Sequence, residues 1–451
     1  MIIFSTTSGD HGFSFEPDMY ELRLDLSNDW FHVPDFFDDK KTIITLRDRG
    51  EGGSYTGCID KKIEFYLHVL DSSDFCIDIE LEHVQKLPLL SLEERALRRI
   101  IISVHDFSDD GYSNFCELIT KSEFKHNCFF YKFVYNIDLL TKLYDMSVKL
   151  KRLNINFTLL STGKTSLVSR ILYKSFDSMA TYFGETGATT APNQITEKEV
   201  LLYNLRELNK STKIGGIIGG SQVLKSRGLT FYNQYFRENK LNAVYLPFVI
   251  DDINDLVDFV TTSNMAFYGF SVTMPFKGKL YSVVGAQKAE GEIVNLWIPN
   301  DNKLYLTDVY AFEEAFIKLK ISDDTKIALI GTGAMAKTVV ELLPNNEIYL
   351  YARDEAKIDL FINTYHNVKK ADSLNHDNTC LINTTPLGMN EEDVLNVFPL
   401  IKFSMAIDLP YDKKKTKLVE YCHENNFPVV DGVEFWKLQA EKQLEIIRAL
   451  V

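Results

Sequence analysis

The sequence predicts an α/β protein in which an N-terminal (β/α)8 barrel precedes a two-lobed unit containing a Rossmann-like nucleotide-binding domain. Three observations predict it. Eight short β-rich runs alternate with stretches able to form helices over roughly the first 200 residues, the pattern of a small parallel barrel. The glycine-rich stretch KIGGIIGGS at 213–221 begins a different, smaller α/β pattern. The run KIALIGTGAMAKTVVELL at 326–343 reads as a strand, a glycine turn and a helix.

Taken in order, the barrel strands are expected at IIFST (2–6), MYELRLDL (19–26), TIITLR (42–47), FCIDIE (75–80), RIIISVH (99–105), CFFYKFVY (128–135), INFTLLS (155–161) and MATYF (179–183). Between them, KKIEFYLHVL and LLTKLYDMSVKL suit helices. The first connection, 7–18, contains Gly and Pro and leaves little room for one. TEKEVLLYNLRELNKST (196–212) reads as a polar amphipathic helix that closes the barrel. The expected division is a barrel over 1–208, a smaller substrate-binding α/β domain over 213–321 and a nucleotide-binding domain over 322–425. A C-terminal helix within 426–451 is expected to pack back on the middle domain.

Composition bounds the function. With 45% hydrophobic and 25% charged residues the chain is an ordinary globular protein. A net charge of −14 argues against general nucleic-acid binding. Small anionic substrates need only a few local cations. The cysteines at 58, 76, 116, 128, 380 and 422 form no CxxC pair and no metal-ligand spacing. That pattern suits reduced thiols in a cytoplasmic protein without a metal centre. The start MIIFSTTSGDHG has no basic region and only a short apolar run, so neither a signal nor a transit peptide is expected. No apolar run approaches the ~18 residues of a membrane span.

CFFYKFVY places Lys132 inside an apolar strand, where an unpaired ammonium is costly. Such a lysine either snorkels to the strand end or acts as a nucleophile that forms a Schiff base with a ketone. The other strand ends favour the nucleophile. Arg47 ends the third strand, with Glu51 in the loop after it; Glu80 ends the fourth; His105 and Asp106 end the fifth; Arg170 follows the seventh. These ends form the active-site rim of such a barrel. An imine at Lys132 acidifies the neighbouring C–H, and His105 is a base suited to neutral pH. Glu51 can orient its ring. Arg23, Arg47 and Arg170 suit a carboxylate and hydroxyls.

ELRLD (21–25), TLRDRGEGG (45–53), SVHDF (103–107), YKFV (131–134), VSR (168–170) and TTAPNQ (189–194) occur in this order. Over about 1–205 they resemble type I 3-dehydroquinate dehydratase. The resemblance implies Schiff-base syn-elimination of water from 3-dehydroquinate, giving 3-dehydroshikimate. It implies Lys132 as the imine lysine, His105 as general acid/base and Glu51 as its assistant. Glu21, Arg23 and Arg47 would contact substrate hydroxyls; Arg170, Thr190 and Gln194 would contact the carboxylate side. Ser161-Thr162 stands where the family has Met-Gly, and Thr190 where serine is usual.

In the second half, GTGAMA (331–336) fits GxGxxA between a strand and a helix, a loop that lets backbone approach a pyrophosphate. Arg353 follows the next strand and suits a 2′-phosphate, with Asp354 beside it. YGFSVTMPFKGKL (268–280) puts Lys277 after a Pro-interrupted strand, and LTD (306–308) supplies Asp308. A lysine hydrogen-bonded to an aspartate suits proton donation to a ketone as hydride arrives. VTMPFK, GTGAMA, NTTPLGM (383–389) and the terminal EFWKLQA resemble shikimate dehydrogenase over about 213–451. This implies reversible, NADP(H)-dependent reduction of 3-dehydroshikimate to shikimate, with Lys277 and Asp308 as the catalytic pair. Ser226, Thr273, Asn295 and Gln439 would bind substrate, with Tyr411 beside it. Gly331, Gly333, Ala334, Arg353, Thr384 and Met405 would line the cofactor. Ser226-Arg227-Gly228-Leu229 replaces the family's Ser-x-Ser-Pro, so one substrate serine is missing.

The first product is the second substrate. The chain therefore reads as a bifunctional shikimate-pathway enzyme, a lyase and an oxidoreductase. Its partners are small molecules: 3-dehydroquinate, 3-dehydroshikimate and shikimate. A monomer is compatible with two such domains. One alternative keeps the dehydratase but gives the second half quinate preference, altered specificity or weak activity. Another is a non-catalytic scaffold on the same folds, for which Lys132, His105, Lys277 and Asp308 would be dispensable.

Overall fold

The computed structural model describes residues 1–7, 15–35, 37–88, 92–121, 127–285, 294–371, 374–375, 378–389, 392–399, 401–411 and 414–451. Most of the first connection, 7–18, therefore lies outside the described residues. The chain forms two compact units. One comprises 1–284, 299–301 and 451; the other comprises 285–298 and 302–450.

The first unit opens with β1 (Ile2–Thr6), β2 (Met19–Arg23), β3 (Thr42–Thr45), α1 (Ile59–Ser72), β4 (Cys76–Glu80), α2 (Glu94–Leu97), β5 (Ile100–Asp106), α3 (Gly111–Lys121), β6 (Phe130–Tyr135), α4 (Leu140–Arg152), β7 (Phe157–Ser161), α5 (Ser166–Ile171), β8 (Thr181–Gly184), β9 (Ile195–Thr196) and α6 (Glu197–Leu202). The strands are parallel in the order β7-β6-β5-β4-β3-β2-β1-β8-β9. This is the expected succession, and all eight expected strands start within two residues of the observed ones. At the seam, Met179 N–H donates to the Phe157 carbonyl at 2.7 Å. Leu159 N–H donates to Ser178 Oγ and Ala180 N–H to Thr158 Oγ1, each at 3.0 Å.

Side chains alternate across each strand. In β6, Phe133 faces outward and meets Phe115 of α3 edge-on, while Lys132 and Val134 line the interior. The helix expected over 196–212 is shorter. A capping box at Thr196 and Glu199 starts α6, and the chain leaves the helix at Tyr203, followed by Asn204 at φ +50°.

The same unit continues through β10 (Lys213–Gly219), α7 (Arg227–Glu238), β11 (Ala243–Val249), α8 (Ile253–Thr262), β12 (Phe267–Val272) and α9 (Leu280–Val284). β10 pairs in parallel with β11 and β12. The glycines of KIGGIIGG permit close strand and ring packing: a Cβ on Gly216 would lie 1.9 Å from the Leu246 carbonyl oxygen. The barrel is tied to this layer. Asp255 of α8 accepts from the backbone N–H groups of Leu140 and Thr141, at 2.8 and 3.1 Å, and from Thr141 Oγ1 at 2.5 Å. The free N-terminus of α4 is thereby capped from another element. Phe176 and Tyr144 pack on Phe259 nearby.

The second unit contains β13 (Leu296–Ile298), β14 (Lys303–Tyr305), α10 (Thr307–Leu319), β15 (Lys326–Ile330), α11 (Ala334–Leu342), β16 (Ile348–Tyr351), α12 (Glu355–Thr364), β17 (Val368–Lys370), β18 (Leu374–Asn375), β19 (Thr379–Asn383), α13 (Val394–Val397), β20 (Ile401–Lys402), β21 (Met405–Asp408), α14 (Lys417–Glu424), β22 (Val429–Asp431) and α15 (Gly432–Ile447). Its main sheet has the order β17-β16-β15-β19-β21-β22. The order reverses beside β15, which is where open α/β sheets bind ligands. Phe312 of α10 and Phe435 of α15 meet with ring centroids 4.7 Å apart. Among the described residues, no helix is long and apolar enough to cross a membrane.

Candidate active sites

Lys132 reaches into a small cavity of about 50 Å³ at the C-terminal strand ends. Glu21, Arg23, Arg47, Glu51, His105, Arg170, Thr190 and Gln194 line it too, so every residue expected of the first site is brought together. The lysine's partners come from β2, β4 and β8, none of them adjacent to β6 in the sheet. Its Nζ donates to Glu21 Oε1 at 2.9 Å and to Asp78 Oδ2 at 3.0 Å. It also lies 4.3 Å from the Tyr182 ring centroid. Arg47 Nη2 donates to the other Asp78 oxygen at 2.6 Å, and Arg47 Nη1 to Ser103 Oγ at 2.7 Å. The two cations hold Asp78 well below the usual carboxylate range, outweighing burial, which pushes it up.

His105 sits at the end of β5. Its backbone N–H donates to Glu51 Oε2 at 3.0 Å, and its Nδ1 lies 2.8 Å from that same oxygen. With Glu51 as the acceptor, the proton sits on Nδ1 and Nε2 is the basic atom. Burial, helped by Arg47 and Lys132, holds His105 well below the ordinary imidazole value, so it is neutral and able to accept a proton. Burial pushes Glu51 up to about 8, with Glu80 and Asp78 adding to it against Arg47.

On the opposite wall, Arg23 makes a two-pronged pair with Asp25 at 2.8 and 2.9 Å and donates to the Thr190 carbonyl at 2.9 Å. Thr190 N–H donates to Gln194 Oε1 at 3.0 Å, and Thr190 Oγ1 to Ser5 Oγ at 2.6 Å. Arg170 is different. It is 2% exposed, yet no carboxylate pairs with it among the described residues. Its Nη1 donates to the Ser161 carbonyl and to Ser166 Oγ, while its Nε has no partner. Burial lowers it to about 10. A buried cation with a spare donor is a receptor for an anion.

Sequence reasoning missed Asp78, Ser103 and Tyr182. A usable signal existed for Asp78: it lies two residues from Glu80 in one strand and so shares its face.

The crevice of the second unit has a volume of about 580 Å³, and Gly331, Thr332, Arg353, Asp354, Thr385 and Leu387 are among its walls. Gly331 has φ +111°, and a Cβ there would lie 2.6 Å from Thr384 Oγ1. Only glycine fits that turn. Thr384 donates to the Ile330 carbonyl through N and Oγ1, at 3.0 and 2.7 Å. Gly333 caps α11 and Ala334 opens it. A bare turn at a helix N-terminus, with an arginine on the wall, fits a dinucleotide phosphate. Arg353 pairs with Glu392 at 2.6 Å, whereas Asp354 caps α12 through Lys357 N–H at 3.3 Å. Met405 is not at the crevice. It opens β21 opposite Cys380, at the strand end away from Gly331, and packs against the core. Leu409, just past the other end of β21, donates its N–H to the Asn383 carbonyl at 3.1 Å.

The remaining expected residues divide between the units. Ser226, Thr273 and Lys277 lie in the first. Ser226 Oγ accepts from Gly228 N–H at 3.2 Å, Thr273 N–H donates to the Ile218 carbonyl at 3.1 Å, and Lys277 is half-buried. Asn295, Asp308, Tyr411 and Gln439 lie in the second. Asp308 is buried in the first turn of α10, while Tyr411 and Gln439 are half-buried. Asn295 Oδ1 accepts from Thr307 N–H at 2.7 Å, and its carbonyl accepts from Gln443 Nε2 at 3.0 Å. Its fully buried Nδ2 has no partner among the described residues. Gln443, one turn beyond Gln439, was not anticipated.

Comparison with known proteins places these sites in a family context. Residues 12–209 match the family type I 3-dehydroquinase, and residues 218–295 match the shikimate dehydrogenase substrate binding domain. The bifunctional 3-dehydroquinate dehydratase/shikimate dehydrogenase, chloroplastic, of Arabidopsis thaliana is 25% identical over 96% of this chain and 78% of its own length. The shikimate biosynthesis protein AroDE of Chlamydia pneumoniae is 28% identical over 72% of this chain and 68% of its own. A shikimate dehydrogenase (NADP(+)) of Clostridium perfringens is 28% identical over 52% of this chain and 92% of its own. One polypeptide thus carries a region similar to type I 3-dehydroquinases followed by a region similar to shikimate dehydrogenases.

Proposed function

We propose that the barrel dehydrates 3-dehydroquinate to 3-dehydroshikimate, and that the second half reduces this product to shikimate with NADPH. The observation that carries the first reaction is the pairing of Lys132 with a neutral His105 in one enclosed cavity, opposite the partnerless Nε of Arg170. Arg170 holds the substrate carboxylate and so sets its ketone toward Lys132. The ammonium gives up a proton, the amine adds to the carbonyl carbon, and water leaves as the imine forms. His105 Nε2 then takes the proton from the carbon next to the imine. It returns a proton to the departing hydroxyl, so one water is lost overall. A further water hydrolyses the imine and frees Lys132.

In the second half, the Gly331 turn and α11 are suited to a pyrophosphate, and Arg353 to the 2′-phosphate of NADP. When bound, NADPH supplies the hydride for the carbonyl. Lys277 is the candidate proton donor to the ketone oxygen, and Asp308 is the second candidate catalytic group. Asn295 offers its buried amide to the substrate, with Ser226, Thr273, Tyr411 and Gln439 completing the set.

The test supplies 3-dehydroquinate and NADPH to the full chain and follows enone absorbance and NADPH together. Quinate and NAD run in parallel. Borohydride added with substrate should trap a covalent adduct on the wild-type chain. Lys132→Ala should abolish the adduct and lower dehydration by about a thousandfold or more. Turnover without any trappable adduct would sink the imine reading. Steady NADPH in the presence of added 3-dehydroshikimate would sink the reductase reading.

A further inference from the structure

We infer that Lys62, which lies outside the cavity, is a positioning residue of the dehydration. It clamps the turn that aims Glu51 at His105, and this rests on the dehydratase reading above. Lys62 is in the first turn of α1 and is 0% exposed. Its ammonium donates to Glu80 Oε2 at 2.6 Å and to Asp48 Oδ1 at 2.7 Å. It also lies 5.4 Å from the ring centroid of Tyr55. A buried ion pair is rarely the most stable filling for such a space, since an apolar side chain of similar volume does as well or better. Burying a lysine here therefore calls for a role beyond stability.

Both partners lead to the site. Glu80 Oε1 accepts from Asp48 N–H at 3.0 Å and lies 3.0 Å from Arg47 Nη1. The Asp48 carbonyl accepts from Glu51 N–H at 3.1 Å and Gly53 N–H at 2.9 Å, and Tyr55 N–H returns to the Arg47 carbonyl at 3.0 Å. Residues 47–55 thus form a closed turn. Lys62 fastens it by joining the side chain of Asp48, at the base of the turn, to Glu80 on the barrel. Glu51 leaves that turn and meets His105 through the single oxygen Oε2. His83 Nε2 lies 2.6 Å from the second Asp48 oxygen, so the carboxylate is held from both sides. Without the ammonium, Asp48 and Glu80 face each other as like charges. Asp48 is the more exposed of the two, so it swings outward and carries the Glu51 turn with it.

The test uses full-length Lys62→Met, Lys62→Arg and Asp48→Asn, together with Glu51→Gln and the Lys62→Met/Glu51→Gln double variant. The readouts are kcat, KM, the pH profile of kcat and the fraction of chain trapped by borohydride with 3-dehydroquinate. Lys62→Met is expected to lower kcat by about 10–100-fold, the loss typical of a catalytic group misplaced by about 1 Å. KM and the trapped fraction should stay near wild type, because Lys132 and Arg170 lie outside the turn that moves. The pH profile should change as it does in Glu51→Gln, and the double variant should be no slower than Glu51→Gln alone. Lys62→Arg should recover most of kcat. Asp48→Asn should give the same pattern more weakly, and it decides the matter if Lys62→Met does not fold. The inference is overturned by a folded Lys62→Met, or failing that by Asp48→Asn, with wild-type kcat and pH profile. Multiplicative losses in the double variant also overturn it. A wild-type chain that forms no borohydride adduct sinks the dehydratase reading itself, which is a separate result.

Discussion

At the scale of single residues, two buried groups in one cavity make opposite contributions. Among the described residues Arg170 has no counter-ion, so the folded chain bears its desolvation until an anion arrives. Arg170→Met should lower kcat/KM for dehydration by about 10–100-fold, the worth of a hydrogen bond to a charged group. Its thermal midpoint should not fall. Asp78 is the reverse case, since it lies between Arg47 and Lys132. Asp78→Asn leaves those cations facing each other and should cost about 3–5 kcal/mol of stability, readable from the urea midpoint. Lys132 was legible as a charge inside an apolar strand, and His105, Glu51 and the arginines as reactive residue types at or just beyond strand ends. Tyr182 was not, because a phenol inside an apolar run reads as strand filling, and Asp78 was passed over although its spacing from Glu80 put the two on one face. Lys62 was hidden for another reason. Its partners, Asp48 and Glu80, are 14 and 18 residues away in the chain, and no local pattern links them.

At the scale of elements, the eight barrel strands were legible from β-rich runs alone. Helix ends were less so: α6 stops at Leu202, where a polar, helix-favouring pattern continues to 212. Met405 illustrates the same limit in a strand. Its type suits a cofactor wall, but only the register Cys380↔Met405 shows that it opens β21 and faces away from the crevice. The cap on α4 was invisible because Asp255 is 115 residues from Leu140. Asp255→Ala removes acceptors for two helix N–H groups and should cost about 1–2 kcal/mol. The unfolding of the barrel in urea measures it; an unchanged midpoint would show that water replaces the carboxylate.

At the scale of the whole molecule, the titration of the first site shapes stability. Glu51 stays protonated up to about 8 in the folded chain, whereas an unfolded glutamate titrates near ~4.3. The folded state therefore holds a proton that the unfolded state has lost, and Glu51's contribution declines as pH rises between those values. His105 is buried neutral, so its contribution grows with pH until the unfolded imidazole is neutral too, near ~6.5. The two oppose each other below that point, and of this pair only Glu51 acts above it. Stability should fall by at most about 2 kcal/mol between pH ~6.5 and ~8. Urea titrations across that range measure the slope, and Glu51→Gln should remove it. On the acid side Glu21, drawn down by Lys132 and Arg23 against burial, joins Asp78 in losing stabilisation as pH drops through ~4 and below.

The Asp255 cap also has a consequence for synthesis. The barrel's last strands and α6 are complete by Leu202, yet the carboxylate that finishes the N-terminus of α4 belongs to α8. At about 5–20 residues per second on the ribosome, Asp255 is added several seconds after the barrel's own residues. During that interval the first enzyme exists as a nascent chain with one helix end open and the rings of Tyr144 and Phe176 still without Phe259. Completion of this helix end therefore waits on residues made after the barrel itself.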